Sequence, residues 1–268
     1  MTFGSLFAGI GGLDLGLERA GMQCRWQVEI NPYAQRVLTK HWPEVRRHDD
    51  IKTWPENDTE SVDLICGGFP CQDISFAGKG AGLSGERSGL FYELIRVVRE
   101  MGPRYVLLEN VSALLVRGID DVLGTLASIG FDAEWHCIPA FSVGAPHIRD
   151  RVFILAYAQS QPGRNITSDF RNGQERYSRD ESRSDCEDAG TLADTDREPL
   201  FSLRTQSGIG KGEKVHIGAW AAEPDVGRVA NGVPARVDRL RGLGNAVVPQ
   251  VAEFIGNAIV EHERRHFS

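Results

Sequence analysis

Cys71 closes the stretch Cys66-Gly67-Gly68-Phe69-Pro70-Cys71-Gln72, just after an apolar run at residues 62–65. Such a run reads as a buried parallel strand, and ligands in open α/β sheets collect outside the carboxyl ends of the strands. A thiol placed there, fixed by Pro70 and approached through Gly67 and Gly68, suits nucleophilic attack. The plainer alternative is a small buried hydrophobe, as most free cysteines are. A second reactive group ends another apolar run, where residues 104–108 lead into Glu109-Asn110-Val111. A carboxyl at a strand end is partly desolvated, which lifts its pKa toward the range of a general acid. Arg149 and Arg151 enter a later strand at i and i+2, so strand alternation points them the same way, to bind an anion or to solvate an edge.

The elements that must position these groups follow a regular order. Residues 4–7 form a short strand, Ala8-Gly9-Ile10-Gly11-Gly12 a glycine turn, and residues 13–20 a helix pattern. Glycines let a backbone approach a ligand closely, and a helix start offers unpaired N–H groups. The spacing is not Gly-x-Gly-x-x-Gly, which disfavours NAD. A second strand ends in Glu29-Ile30-Asn31-Pro32, where Asn31 can cap and Pro32 can begin the helix at residues 33–41. An acidic residue about 20 positions past the first glycine turn is where α/β cofactor sites hold a ribose; the alternative for Glu29 is an ordinary exposed residue near a cap. Asp50, in His48-Asp49-Asp50-Ile51, stands at a third such tip. Residues 73–88 carry Gly78, Gly80, Gly82 and Gly85 among Lys79 and Arg87, a lid or a linker beside the thiol. Helices are expected at 90–101, 120–129 and 251–262, and closing strands at 132–138 and 152–157. Between 158 and 217 periodicity disappears, which indicates a small loop-rich appendage or a partly disordered insertion.

A chain of 268 residues accommodates one large domain or a core with an appendage. Its net charge of −7 argues against a uniformly basic nucleic-acid binder, but the location of charge matters more than the sum. Basic side chains after residue 140 are almost all arginine, suited to phosphate or guanine contacts. The five scattered cysteines form neither a disulfide framework nor a zinc spacing. No run approaches the roughly 18 apolar residues of a membrane span, and the N-terminus has no targeting signature. The expectation is a cytoplasmic protein without metal or membrane association.

Taken together in order, Phe7-Ala8-Gly9-Ile10-Gly11-Gly12, Glu29 with Asn31-Pro32, Asp50-Ile51, Gly68-Phe69-Pro70-Cys71-Gln72, Glu109-Asn110-Val111, Arg149-Asp150-Arg151 and Gly244-Asn245-Ala246-Val247-Val248-Pro249 resemble the DNA cytosine-C5 methyltransferase family. The resemblance implies an α/β fold: a Rossmann-like S-adenosylmethionine-dependent methyltransferase sheet with helices on both faces, plus a small irregular target-recognition region. It implies a catalytic core over residues 1–157, a recognition region at 158–235 and a C-terminal segment at 236–268 returning to the core. Phe7, Gly9, Gly11, Glu29, Ile30, Asp50, Ile51, Pro70, Leu90 and Asn245 would surround S-adenosyl-L-methionine. Cys71 would be the nucleophile, Glu109 the partner of the cytosine ring nitrogen, and Arg149 and Arg151 its helpers. Ser75, Lys79 and Arg87 would meet double-stranded DNA, bound by a monomer.

The chemistry explains these residue types. Carbon 5 of cytosine is too weak a nucleophile until a thiolate adds at carbon 6 and an acid engages nitrogen 3. The base must also leave the stack, at a cost of a few kcal/mol. Three alternatives remain open at this point: the same chemistry on tRNA, a catalytically silent binder of S-adenosylmethionine or DNA, and a thiol hydrolase pairing Cys71 with His147.

Overall fold

Alternation along the central strands decides the layering. In β5 (Tyr105–Val111), Tyr105 and Leu107 belong to one buried cluster while Val106 and Leu108 belong to another. A strand buried on both faces needs helices on both faces, and its sequence reads as an unbroken apolar run. One face is covered by α1 (Gly12–Arg19) and α7 (Pro249–Phe267) through Leu13, Leu17, Val251, Ile255 and Ile259. The other is covered by α3 (Gly89–Met101) and α5 (Ile119–Ser128) through Phe91, Leu94, Val98, Val122 and Leu126. The computed structural model describes residues 1–70, 89–145, 147–158 and 236–267. Cys71, Ser75, Lys79, Arg87 and all of residues 159–235 lie outside the described residues.

The remaining strands are β1 (Thr2–Leu6), β2 (Gln23–Val28), β3 (Arg46–His48), β4 (Leu64–Gly68), β6 (Phe131–Pro139) and β7 (Asp150–Ala158). Their order is β3-β2-β1-β4-β5-β7-β6. The pairs β1–β2, β1–β4, β2–β3 and β4–β5 are parallel, and β7 runs antiparallel to both β5 and β6. Strand order therefore reverses between β1 and β4, and a crevice opens at their carboxyl ends, where open α/β sheets bind ligands.

Three features depart from the pattern read in the sequence. The expected strand at 62–65 runs instead from Leu64 through Gly68, because pairing to β1 on one side and β5 on the other outweighs the poor strand propensity of Gly67 and Gly68. The last strand in sequence is inserted antiparallel beside β5. A short helix, α4 (Leu114–Arg117), follows β5 where no element was expected.

Close approach of α1 to α7 requires Gly16, where an added Cβ would stand 2.3 Å from the Pro249 carbonyl oxygen. At the far end of the sheet Arg104 pairs with Asp63 (2.9 Å) and with Glu263. Tyr105 Oη donates to Glu263 Oε1 (2.6 Å). The C-terminal helix is thereby anchored to the sheet although residues 159–235 separate them in sequence. No helix among the described residues is long and apolar enough to cross a membrane.

Candidate active site

The glycine turn leaves β1 with Phe7 at φ 53° and Gly9 at φ 57°, both left-handed. One N–H of this turn is captured by a side chain: Gly9 N donates to Glu29 Oε2 (2.7 Å). The other oxygen of Glu29 accepts from Asn31 N (2.7 Å), and Ala8 N donates to Val28 O (3.1 Å). A carboxylate at the tip of β2 thus fastens the first turn to the second. Glu29 is 8% exposed, so it is not the ordinary surface residue of the alternative reading. Asn31 Oδ1 accepts from Tyr33 N (2.8 Å) and Ala34 N (3.3 Å), capping α2 (Pro32–His41) with Pro32 in its first turn. Asp50 Oδ1 accepts from Lys52 N (3.0 Å) and starts a short 3₁₀ turn, Ile51–Thr53.

These tips border a cavity of about 370 Å³. Phe7, Gly9, Glu29, Ile30, Asp50, Ile51, Pro70, Leu90 and Asn245 all line it, together with Glu109 and Arg151. Gly11 does not. An added Cβ there would strike the Trp42 ring at 2.5 Å, so the residue makes room for packing. Asp238, Arg241 and Gly242 of α6 (Arg236–Asn245) also line the cavity. The sequence reading missed them, and the only local signal was the i, i+3 spacing of Asp238 and Arg241 on a helix with no strong apolar face.

Glu109 sits on the cavity wall at 9% exposure. Arg151 Nε pairs with its Oε1 at 2.9 Å. Burial pushes the Glu109 pKa above the ordinary carboxylate value, and the charges of Arg151 and Arg149 pull part of that back. Gly68 lies opposite Glu109 in the β4–β5 ladder; a Cβ on it would come within 2.7 Å of Glu109 Oε2. Beside it, Asn110 Nδ2 donates to Phe69 O (3.2 Å) while its Oδ1 accepts from Val111 N (2.9 Å). The Phe69 ring packs on Phe91 at 5.0 Å between centroids. The chain is therefore fastened beside Glu109 up to Pro70, the last described residue before Cys71.

The two arginines diverge instead of pointing one way. Arg149 precedes β7 with a left-handed φ of 40°, so strand alternation begins only after it. Its Nη2 donates to the carbonyls of Gly244 (2.6 Å) and Ala246 (2.7 Å). These flank Asn245, so Arg149 secures the turn from α6 into α7 while Arg151 serves Glu109. A second hollow of about 470 Å³, on the other side of the glycine turn, is lined by Gly11, Trp42, His147 and Arg149. His147, which the thiol-hydrolase alternative requires, belongs to that hollow and not to the cavity of Glu109.

The family model for C-5 cytosine-specific DNA methylase matches residues 1–213. The chain is 36% identical over 166 residues to the type II methyltransferase M2.BsuMI of Bacillus subtilis (strain 168), covering 59% of this chain and 42% of that protein. It is 32% identical over 161 residues to the type II methyltransferase M.HhaI of Haemophilus parahaemolyticus, covering 59% and 49%. The match thus spans less than half the length of either relative. In fold it is similar to the S. pombe Dnmt2 methyltransferase, with a TM-score of 0.51 at 22% identity over 60% of this chain and 52% of that one.

Proposed function

The chain belongs to the C-5 cytosine-specific DNA methylase family, and on that premise we propose that it transfers a methyl group from S-adenosyl-L-methionine to carbon 5 of cytosine in DNA. The observation that carries this reading is a single cavity bordered at one end by the glycine turn, Glu29 and Asp50 and at the other by the buried Glu109–Arg151 pair. A donor site and an acid stand at the same edge of one sheet.

The residues present fit such a donor. A cavity of this volume falls in the range of small-molecule sites, about 300–1,000 Å³. Each Glu29 oxygen receives one backbone N–H and retains a second lone pair for a ribose hydroxyl. Ile30, 71% exposed at the rim, and Ile51 offer apolar surface to a base. Bound there, S-adenosylmethionine supplies an electrophilic methyl group on its sulfonium.

The chain's own groups prepare the acceptor. The cytosine is flipped from the duplex, and the Cys71 thiolate adds to carbon 6. Glu109 gives its proton to nitrogen 3, so the electron pair displaced from the 5,6 double bond develops on carbon 5. Arg151 holds Oε1, which turns the remaining oxygen toward the base. After methylation the carbon 5 proton is lost, the 5,6 double bond reforms as the Cys71–carbon 6 bond breaks, and nitrogen 3 returns its proton to Glu109. A free thiol titrates at about 8.5, and Arg149 and Arg151 supply positive charge that favours the thiolate. Ser75, Lys79 and Arg87 contact the DNA backbone, which makes binding salt-sensitive, and the bases are read by residues between 158 and 235.

The test is duplex DNA containing 5-fluorocytosine, incubated with protein and S-adenosylmethionine. A covalent complex that survives denaturing electrophoresis is expected with the unaltered chain and none with Cys71→Ala. Bisulfite sequencing of DNA from expressing cells would reveal the target word; unchanged cytosines throughout, with no trapped complex, would sink the reading.

A further inference from the structure

The lip of the cavity that carries Asp50 and Ile51 is seated on the core through the buried side chains of Ile51 and Trp54. It leaves β3, a three-residue edge strand paired only to β2, and passes through the single 3₁₀ turn Ile51–Thr53. Ile51 O accepts from Trp54 N (3.2 Å) inside the turn, and one guanidinium ties both ends of the turn to α3: Arg96 Nη2 donates to Ile51 O (2.7 Å) and to Trp54 O (2.6 Å). The other nitrogens of Arg96 are held on its own helix. Nε donates to Glu93 Oε2 (2.8 Å) and Nη1 to Glu100 Oε2 (3.0 Å), so the fork is aimed before any ligand arrives.

The helix that carries Arg96 also reaches the cavity. Leu90, in the first turn of α3, lines it, and the same helix is set in the core by Phe91, Leu94, Ile95 and Val98. One rigid element therefore presents an apolar side chain to the cavity and grips the turn that forms the facing lip. We propose that Arg96 is a positioning residue for the methyl donor, holding Asp50 and Ile51 at a set distance from Leu90. This role rests on the donor-site reading above. Arg96 does not line the cavity, so it acts through the turn and touches no reacting atom.

The experiment is isothermal titration of the full chain with S-adenosylmethionine, paired with steady-state kinetics in donor and DNA, for the unaltered chain, Arg96→Met, Arg96→Lys and Glu100→Gln. Removing the clamp is expected to weaken donor binding about tenfold or more in Arg96→Met, the equivalent of one lost charged hydrogen bond. The donor KM rises with it, while kcat at saturating donor and the KM for DNA change by less than about threefold, the signature of lost ground-state binding. Arg96→Lys, which keeps a cation for one carbonyl, recovers part of the affinity. Glu100→Gln, which leaves both carbonyl contacts in place and loses only the charged support of Nη1, weakens donor binding less than Arg96→Met does. A general packing role would instead lower kcat, DNA affinity and melting temperature together. If Arg96→Met does not fold, Arg96→Lys decides the matter, since an unchanged Kd there overturns the proposal. Failure of the unaltered chain to bind the donor overturns the donor-site reading and this role with it; normal binding by both Arg96 variants overturns this role alone.

Discussion

Two buried carboxylates serve opposite ends in this molecule. Asp14, under the glycine turn on α1, has no exposed surface. Its Oδ2 accepts from Ser5 Oγ (3.0 Å) and its Oδ1 from Gln27 Nε2 (2.7 Å). Gln27 is in turn held by Arg47 Nε at 3.0 Å. Both oxygens are occupied by neutral donors, and burial pushes the pKa up to about 6. Glu109 is nearly as buried, but it is paired on Oε1 with a cation, Arg151, and it borders the cavity. Depth alone does not separate the two: Glu109 borders a space that a substrate can enter, and Asp14 does not.

The sharpest way to break this comparison is to neutralise each carboxyl in turn. Glu109→Gln should lower methyl transfer by about 10²- to 10⁴-fold, the usual worth of a positioned acid, without loss of donor binding by titration. Asp14→Asn should leave the rate within a few-fold of normal; an equal loss in both variants would erase the distinction.

Asp14 should instead be visible in stability. Its folded pKa of about 6 exceeds the ordinary 3.8, so the folded state holds the proton more tightly. The advantage is complete below pH 3.8 and is lost as pH rises through about 6. Unfolding by denaturant from pH 4 to 7 should show the unaltered chain losing roughly 2 kcal/mol relative to Asp14→Asn across that window. A parallel pH course for the two proteins would place the charge cost elsewhere.

A smaller effect is expected from the ladder opposite Glu109. Gly68→Ala sets a Cβ within 2.7 Å of Glu109 Oε2, and displacing that carboxyl should reduce kcat about tenfold with little change in melting temperature. The smallest effect belongs to the donor side. Asn31→Ala removes the cap of α2 and should cost about 1 kcal/mol of stability, measured by thermal melting, with the rate at saturating donor unchanged.

Features governed by near neighbours in the chain were legible from residues alone. Asn31-Pro32 opens α2 because a cap and a fixed φ act within three residues. The apolar run at 104–108 becomes a doubly buried strand because its composition already excludes solvent on both faces. The glycine turn, Glu29, Asp50 and Glu109 were each placed at strand tips by the same local logic, and all four reach one cavity.

Other features were decided only when distant segments met. Nothing near Arg149 and Arg151 in sequence says that Arg149 itself is left-handed, or that Gly244 and Ala246 wait for the first and Glu109 for the second. Gly11 looks identical to Gly9 along the chain, yet Trp42 fills the space beside it. Asp14 reads as an ordinary acidic residue in a helix's first turn until β1 and β2 bring Ser5 and Gln27 against it. Residue types and their order determined which chemistry the chain could carry, because propensity, capping and burial pattern are properties of neighbouring residues. Which carboxyl became structural and which faced the cavity was decided by tertiary structure, since desolvation and hydrogen bonding at one atom depend on groups tens of residues away.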